Sequence, residues 1–255
     1  MQDKSRSLNF RSEEHNRYWW HKNQNIDYIP PIYSFLEDNE WEIIKHWFED
    51  TGRRFTSTGE AGVPLLSLLL GLIMGNGLKR IVQCGHYVGY SSLLIGFMLR
   101  RMHAKHGLLS IDIDAEVTTY TQSWLDRAGL TEYVTLRIAD SADSRGPPVA
   151  QEQFGGKAPQ LVFIDSSHQY QHSLEELDLW YPALCKGGIM CLHDTSKYAS
   201  TFDSSGKGGV FRAVSEWCLV QGIPSLSLNS WVDGGEPGDF PYTDGCGLTM
   251  FQKCH

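Results

Sequence analysis

Short apolar runs alternate with longer amphipathic stretches along most of this chain. RIVQCG, LLSIDID, VTLRIAD, LVFID and GGIMCLHD each give a few apolar residues closed by glycine, aspartate or a polar cluster, which predicts strands. Between them SSLLIGFMLRRMHAK, AEVTTYTQSWLDRAG and HSLEELDLWYPAL read as helices. GVFRAVSEWCLVQ predicts a last helix before the strand candidates SLSLNSWV and GLTMFQK. Upstream, FLEDNEWEIIKHWFEDT places Phe35, Trp41, Ile44, Trp47 and Phe48 at helical spacing. A further helix begins near 59–62 and runs through LLSLLLGLIM to a GNG turn. The two prolines of IPP oppose helix, and DSRGPPVAQEQFGGKAP reads as a polar connection. Alternating strands and helices predict a doubly wound α/β domain, its mostly parallel sheet covered on both faces. In such sheets ligands bind beyond the carboxyl ends of the strands, so the residues that end strands carry the chemistry.

The 255 residues suit one such domain over 56–255, with 1–55 as an N-terminal helical extension or lid. A net charge of −8 gives no electrostatic support for binding nucleic acid or an anionic membrane. Six cysteines form no CxxC pair and no zinc spacing, and several lie in apolar runs, as small buried hydrophobes do. The polar N-terminus does not read as a signal peptide, and VPLLSLLLGLIM is too short to span a bilayer. The expectation is a cytoplasmic protein with reduced thiols.

Five strand ends are polar. The first opens into QCGHYVGYSS, with Gly85, Gly89 and Ser91. The second ends at Asp112, with Asp114 two residues on. The others end at Asp140-Ser141, Asp165-Ser166-Ser167-His168 and His193-Asp194-Thr195. Any one of these could cap a helix; together on one sheet edge they favour a site. Asp112, beyond a glycine loop and at a second strand end, suits the two hydroxyls of a ribose. The loop lacks the third glycine of GxGxxG, which disfavours NAD or FAD and favours a cofactor with a ribose but no phosphates. Asp165 and Asp194 are hard oxygen ligands of the kind Mg²⁺ takes, and His168 titrates near neutrality as a general base can.

These segments resemble the class I S-adenosylmethionine-dependent methyltransferases. They are similar, more narrowly, to the cation-dependent O-methyltransferases of the catechol and caffeoyl-CoA type and to the group that tailors sugars and cephalosporins. The resemblance runs from about Thr58 to Thr195 and implies a Rossmann-like, seven-stranded sheet. It places Thr58 and Gly59 in the segment that closes over the methionine part of the cofactor. Gln83, Gly85, Tyr87, Gly89 and Ser91 fall on the loop that holds the amino-acid end, with Gln83 where an acidic residue is usual. Asp112 falls on the ribose carboxylate and Ser141 near the adenine, with Asp140 beside it. Asp165 and Asp194 match two metal ligands, the former also adjoining the cofactor. Thr195 stands where asparagine is common, and His168 where a lysine base is.

The implied activity is methyl transfer from S-adenosylmethionine to a hydroxyl of a small molecule, assisted by Mg²⁺ or another divalent cation. Tailoring of a natural product or sugar is preferred on the resemblance alone. The aromatics Tyr18, Trp19 and Trp20, with residues 196–209, are candidates for a lid, and the N-terminus for a contact in a homo-oligomer. The alternatives are a metal-independent methyltransferase with His168 as sole base, an NAD(P)-dependent oxidoreductase, and a scaffold that binds cofactor without catalysis.

Overall fold

A computed structural model describes residues 30–56, 59–229 and 241–254. The calls on Tyr18, Trp19, Trp20 and Thr58 lie outside them, as does most of 229–241. Among the described residues eight α-helices and seven strands follow one another: α1 (Pro31–Ser34), α2 (Asp38–Arg54), α3 (Val63–Asn76), β1 (Ile81–Cys84), α4 (Tyr90–Arg101), β2 (Leu108–Asp112), α5 (Ala115–Ala128), β3 (Val134–Ile138), α6 (Gly146–Gln153), β4 (Leu161–Ile164), α7 (Tyr170–Ala183), β5 (Ile189–His193), α8 (Gly209–Gln221), β6 (Leu226–Leu228) and β7 (Leu248–Gln252). A short 3₁₀ turn at Ala199–Phe202 lies between β5 and α8.

The strands form one sheet in the order β3-β2-β1-β4-β5-β7-β6, parallel except for β7, which runs antiparallel to β5 and β6. The order reverses between β1 and β4, so the connections that follow them lead to opposite sides and leave a crevice beyond the carboxyl ends. Successive residues of β1 point to opposite faces. Ile81 enters the apolar layer shared with α2, α3 and α4, whereas Val82 and Cys84 enter the one shared with α7 and α8. The central strands are buried on both sides, which is why they read as continuous apolar runs.

Two expectations are corrected. Pro30 and Pro31 do not oppose helix: Pro31 occupies the first turn of α1, where the missing N–H has no partner to lose. GPPVAQEQ likewise is helical rather than a polar connection, its prolines in the first turn of α6.

The N-terminal helices are part of the core. Glu37 and Glu40 form a reciprocal capping box at the start of α2. Trp47 donates its indole N–H to Val88 O at 2.7 Å and stacks on Tyr90 at 5.1 Å. Glu40, 1% exposed, ion-pairs with both Arg100 and Arg101 at the end of α4. Through the Trp47–Val88 bond and through α4, these helices buttress the glycine loop that precedes α4.

Candidate active site

The β1–α4 loop is shaped by what lies behind it. Gly85 has φ +85°, and a Cβ there would stand 2.0 Å from the Asp165 carbonyl oxygen. Gly89 has φ +92°, and its Cβ would meet Thr121 Cγ2 at 2.6 Å. Both glycines are therefore required by the protein's own packing. The Thr121 hydroxyl donates to Tyr87 O, which helps hold Tyr87 at φ +41°, an unusual backbone for a tyrosine. Gln83 is fully buried beneath the loop. Its amide donates to Gly85 O at 2.8 Å and Ser91 Oγ at 2.7 Å, and its Oε1 accepts from Ser92. Gln83 thus tethers the loop from below.

Asp112 closes the first side of the crevice. Its Oδ2 accepts the backbone N–H groups of His86 and Tyr87 at 3.0 and 2.8 Å, and Oδ1 accepts that of Asp114. Asp114 is the N-cap of α5, its carboxylate accepting from Glu116 and Val117, so the two aspartates divide the roles of cleft lining and capping. His86 is buried between Ser110 and Thr118. Thr118 spends its own proton on Asp114 O, so it accepts from His86 Nε2–H, and Nδ1 takes the Ser110 proton. Burial holds the imidazole pKa down at about 4, against the opposing pull of Asp112. His86 is thus a neutral strut.

Two adjoining hollows share Gly85, Asp112 and Ser166. One, of about 320 Å³, lies between Ile113, Asp140, Ser141 and His172. The other, of about 720 Å³, lies between Glu60, Tyr87, Asp165, His168, Asp194 and Phe202. A narrow recess of about 30 Å³ at Gly59, Gly89 and Ser91 extends the cleft toward α4.

The larger hollow holds a chain of carboxylates and imidazoles. His168 Nε2 lies 3.2 Å from Asp194 Oδ2. The hydrogen bond to Asp194 raises the pKa of His168 against the effect of burial. His193 lies beneath them, Nδ1 3.0 Å from Asp165 and 3.7 Å from Asp194, and Nε2 3.2 Å from Asp244. Burial alone would lower its pKa, but Asp194 and Asp165 outweigh that and hold it well above the ordinary value. Buried Asp194 is held below the usual carboxylate range, chiefly by His193 and His168 against its desolvation. Its φ of +58° places it in the left-handed region, which aspartate tolerates better than most residues. The ring of Phe202 lies 5.3 Å from that of His168, so the 196–209 loop reaches the cleft. That loop is tied to itself: Asp203 accepts the N–H groups of Ser205, Lys207 and Gly209.

The donor chemistry here fits a hard divalent cation. Asp165 and Asp194 supply carboxylates, and Thr195 Oγ1 is buried with no hydrogen-bond partner among the described residues. His193, Asp194 and Cys246 also lie close enough for a cation, with ligand atoms within 4.8 Å of one another. Burial and then Asp194 push the Cys246 thiol up to about 12, however, so it is not a thiolate at neutral pH.

Of the residues singled out in the sequence, Gly59, Gly85, Tyr87, Asp112, Asp165, His168 and Asp194 line the larger hollow, and Asp140 and Ser141 the smaller. Gly89 and Ser91 line the recess. Gln83 lies behind the loop, and Thr195 is buried beside Asp194. Sequence reasoning missed Asp244, Glu176, His172 and the clamp made by His193. Glu176 lies in the middle of a helix and Asp244 outside every strand end read there, and only the tertiary fold brings them in.

Residues 82–195 match the family model described as a methyltransferase domain. No curated protein sequence matches the chain. Solved structures do. A methyltransferase from Podospora anserina bound to SAH is 15% identical, with 86% of this chain and 89% of that one covered and a TM-score of 0.62. The O-methyltransferase from Bacillus cereus in complex with SAH is 13% identical, with 86% and 92% covered and a TM-score of 0.59. The O-methyltransferase TomG from Streptomyces achromogenes, involved in tomaymycin synthesis and in complex with SAM, is 18% identical, with 86% and 91% covered and a TM-score of 0.58. At these identities the likeness is one of fold.

Proposed function

We propose that this chain, a class I S-adenosylmethionine-dependent methyltransferase by its domain and its fold, methylates a hydroxyl oxygen of a small molecule. The observation that carries the reading is the His168–Asp194 contact of 3.2 Å in a hollow that adjoins Gly85 and Asp112. A base in that position faces the volume left for an acceptor beside a cofactor held at the strand ends. The sulfonium cofactor carries its own activation, so the chain must align the acceptor and receive a proton. Gly85 and Asp112 would hold the nucleoside and Gly59 with the Gly89–Ser91 recess the amino-acid end. His168 would take the hydroxyl proton at Nδ1 as the oxygen attacks the methyl carbon, with Asp194 orienting the ring through Nε2.

Asp165, Asp194 and Thr195 would hold a divalent cation. Such an ion lowers the pKa of a bound hydroxyl and orients its oxygen. A metal-independent reading is favoured by a specific observation: His193 spans Asp165 and Asp244 and so already brings positive charge between the carboxylates.

The acceptor is proposed to be a neutral or aromatic hydroxylated molecule of natural-product type, in keeping with Phe202 and Tyr87 in the lining. Residues 1–55 are proposed as an extension that contributes a lid, and an assembly of identical subunits and a cytoplasmic setting complete the reading. Titrating S-adenosylmethionine and NAD⁺ calorimetrically into chelator-treated protein, then assaying methyl transfer to phenols and sugars, tests it. Micromolar binding of S-adenosylmethionine with transfer to oxygen is expected. Binding of NAD⁺ alone would overturn it.

A further inference from the structure

The end of β5 and the segment that leads into β7 bring together a nitrogen, an oxygen and a sulfur. His193, Asp194 and Cys246 each present one ligand atom within 4.8 Å of the other two, and all three line the larger hollow. His193 Nδ1 stands 3.7 Å from Asp194 Oδ2, and its Nε2 3.2 Å from Asp244 Oδ2. Ligands of a tetrahedral ion stand roughly 3.3 to 3.6 Å apart, so Nδ1 and Asp194 are already close to that spacing.

Asp244, 1% exposed, fixes two of the three. Its Oδ1 accepts the Cys246 backbone N–H at 3.0 Å while its Oδ2 faces His193 Nε2. A carboxylate on the far nitrogen of a histidine is the common companion of a metal-bound imidazole, because it sets the tautomer and the ring plane. Cys246 is anchored from the other side as well. Its carbonyl accepts the Ser196 N–H at 2.8 Å, and Ser196 Oγ donates to Gly245 O at 2.7 Å. Gly247 permits this approach, with φ +82° and Ser196 N only 3.0 Å from where a Cβ would stand. The ladder between β5 and β7 ends at His193 and Leu248, so these bonds build a structure beyond the sheet. Thr195 Oγ1, one residue from Asp194, is a buried polar atom with no partner among the described residues.

We propose that His193 Nδ1, an Asp194 oxygen and the Cys246 sulfur form a binding site for a transition-metal ion of the zinc class, with Asp244 as the positioning residue and a fourth position open to the larger hollow. Imidazole and thiolate suit such an ion, whereas Mg²⁺ takes oxygen donors and has no use for sulfur. The oxygen set of Asp165, Asp194 and Thr195 shares Asp194 with this one, so the two compete and the class of ion decides between them. Ligation replaces the Nδ1 proton and the thiol proton by the ion, and both protons leave to solvent. A metal-bound thiol is deprotonated even where the free thiol is not. Three protein ligands with a free fourth position are the pattern of a catalytic rather than a structural zinc. The site stands on these residues alone and does not depend on the methyl-transfer reading.

The test adds Co²⁺, an optical stand-in for Zn²⁺, to the chelator-treated full chain and follows ion content, absorption and displacement. The expected result is one ion per chain, displaced by Zn²⁺ but not by a large excess of Mg²⁺. Its spectrum should combine the intense visible bands of a four-coordinate site with a near-ultraviolet sulfur-to-cobalt band. Cys246→Ser should abolish the sulfur band, and Thr195→Val should leave the spectrum unchanged. Asp244→Asn keeps an oxygen for the Cys246 N–H but turns an amide N–H toward His193 Nε2, which puts the ring proton on Nδ1. Co²⁺ affinity should then fall about 10- to 100-fold; an unchanged affinity would remove Asp244 from the positioning role. Failure of wild-type protein to bind Co²⁺ or Zn²⁺, a six-coordinate spectrum without the sulfur band, or a sulfur band that survives in Cys246→Ser would overturn the proposal. Calorimetric binding of S-adenosylmethionine to the metal-free chain reports on the cofactor reading separately, so either can fail without the other.

Discussion

His168 and Asp194 meet at 3.2 Å across the gap between the carboxyl ends of β4 and β5, strands that lie side by side. The aspartate is buried and the imidazole is half exposed to the larger hollow. A carboxylate behind a histidine fixes ring orientation and makes the outward nitrogen a better proton acceptor. Replacing His168 by Gln should lower kcat by about 10² to 10⁴ and leave the affinity for S-adenosylmethionine nearly unchanged, because the proposed role puts His168 beside the acceptor. Single-turnover rates beside calorimetric affinities check this. A loss of cofactor affinity with little change in rate would remove His168 from the role of base.

Gly85 and Gly89 separate two kinds of constraint. A methyl at Gly89 meets a side chain, Thr121, whereas one at Gly85 meets the backbone of Asp165. Gly89→Ala should therefore cost about 2 to 4 kcal/mol, from overpacking and the left-handed backbone together. Thr121→Ala in the same chain should return the packing part only. Gly85→Ala has no such partner to trim and should fail to give a cooperative transition. Urea denaturation of the three variants, read by tryptophan fluorescence, distinguishes them. A Gly89→Ala/Thr121→Ala chain no more stable than Gly89→Ala would show that backbone strain dominates there.

Much of this architecture can be read from local pattern. The β1, β2, β4 and β5 runs are apolar because both faces of the sheet are covered, and Asp112, Asp165 and Asp194 stand out because a charge ends each run. Position relative to the strand was enough to propose them. It was not enough for Gln83, whose place in the loop motif suggests a cofactor contact although the pleat turns its side chain toward Ser91 and Ser92. Nor does periodicity reveal Glu176. It sits on an ordinary helical face, and only the approach of the β3 and β4 ends makes it the acceptor for two serines. The short helix α6 was hidden by two prolines that read as breakers unless the first turn is located first.

Glu40 tests how far the N-terminal helices matter to the domain. Its carboxylate is buried while Arg100 and Arg101 remain about a quarter exposed. Removing one member of such a cluster leaves charge without its counterpart, and partial exposure of the arginines moderates the cost. Glu40→Leu is expected to destabilise the chain by about 2 to 4 kcal/mol, read as a lower denaturation midpoint. The affinity of the folded variant for S-adenosylmethionine should remain within about twofold, because Glu40 touches α4 at the end remote from the glycine loop. A large affinity loss at unchanged stability would mean that α2 sets the loop geometry directly.

The pH dependence of stability has a definite sign at His172. Its folded pKa, pushed up to about 9 chiefly by Glu176, exceeds the ordinary histidine value of about 6.5. A raised histidine pKa contributes stability that is fully present below about 6.5 and lost as pH rises through about 9. Wild-type Tm should therefore decline between pH 7 and 10 more steeply than that of His172→Phe/Glu176→Gln, which has no such proton to lose. Differential scanning calorimetry in low-ionisation-enthalpy buffers gives both slopes. Parallel slopes would mean that His172 does not gain its proton on folding.

Chelation decides between the two ways the carboxylate cluster could serve the reaction. If a divalent ion is held by Asp165, Asp194 and Thr195, EDTA should abolish transfer, and Mg²⁺ should restore it. Thr195→Val, which replaces the unpartnered hydroxyl by a methyl of similar shape, should then raise the Mg²⁺ concentration needed for half-activation about tenfold or more. If instead His193 supplies the positive charge from its place between Asp165 and Asp244, EDTA should leave the rate within about twofold, and Thr195→Val should be silent or slightly stabilising, since it removes an unsatisfied buried polar atom. His193→Gln should then be the damaging change, because it leaves two buried carboxylates without their counter-charge. Activity with and without chelator on these two variants separates the alternatives: a chelator-sensitive wild type excludes the histidine-only arrangement, and a chelator-insensitive one removes the metal from the reaction.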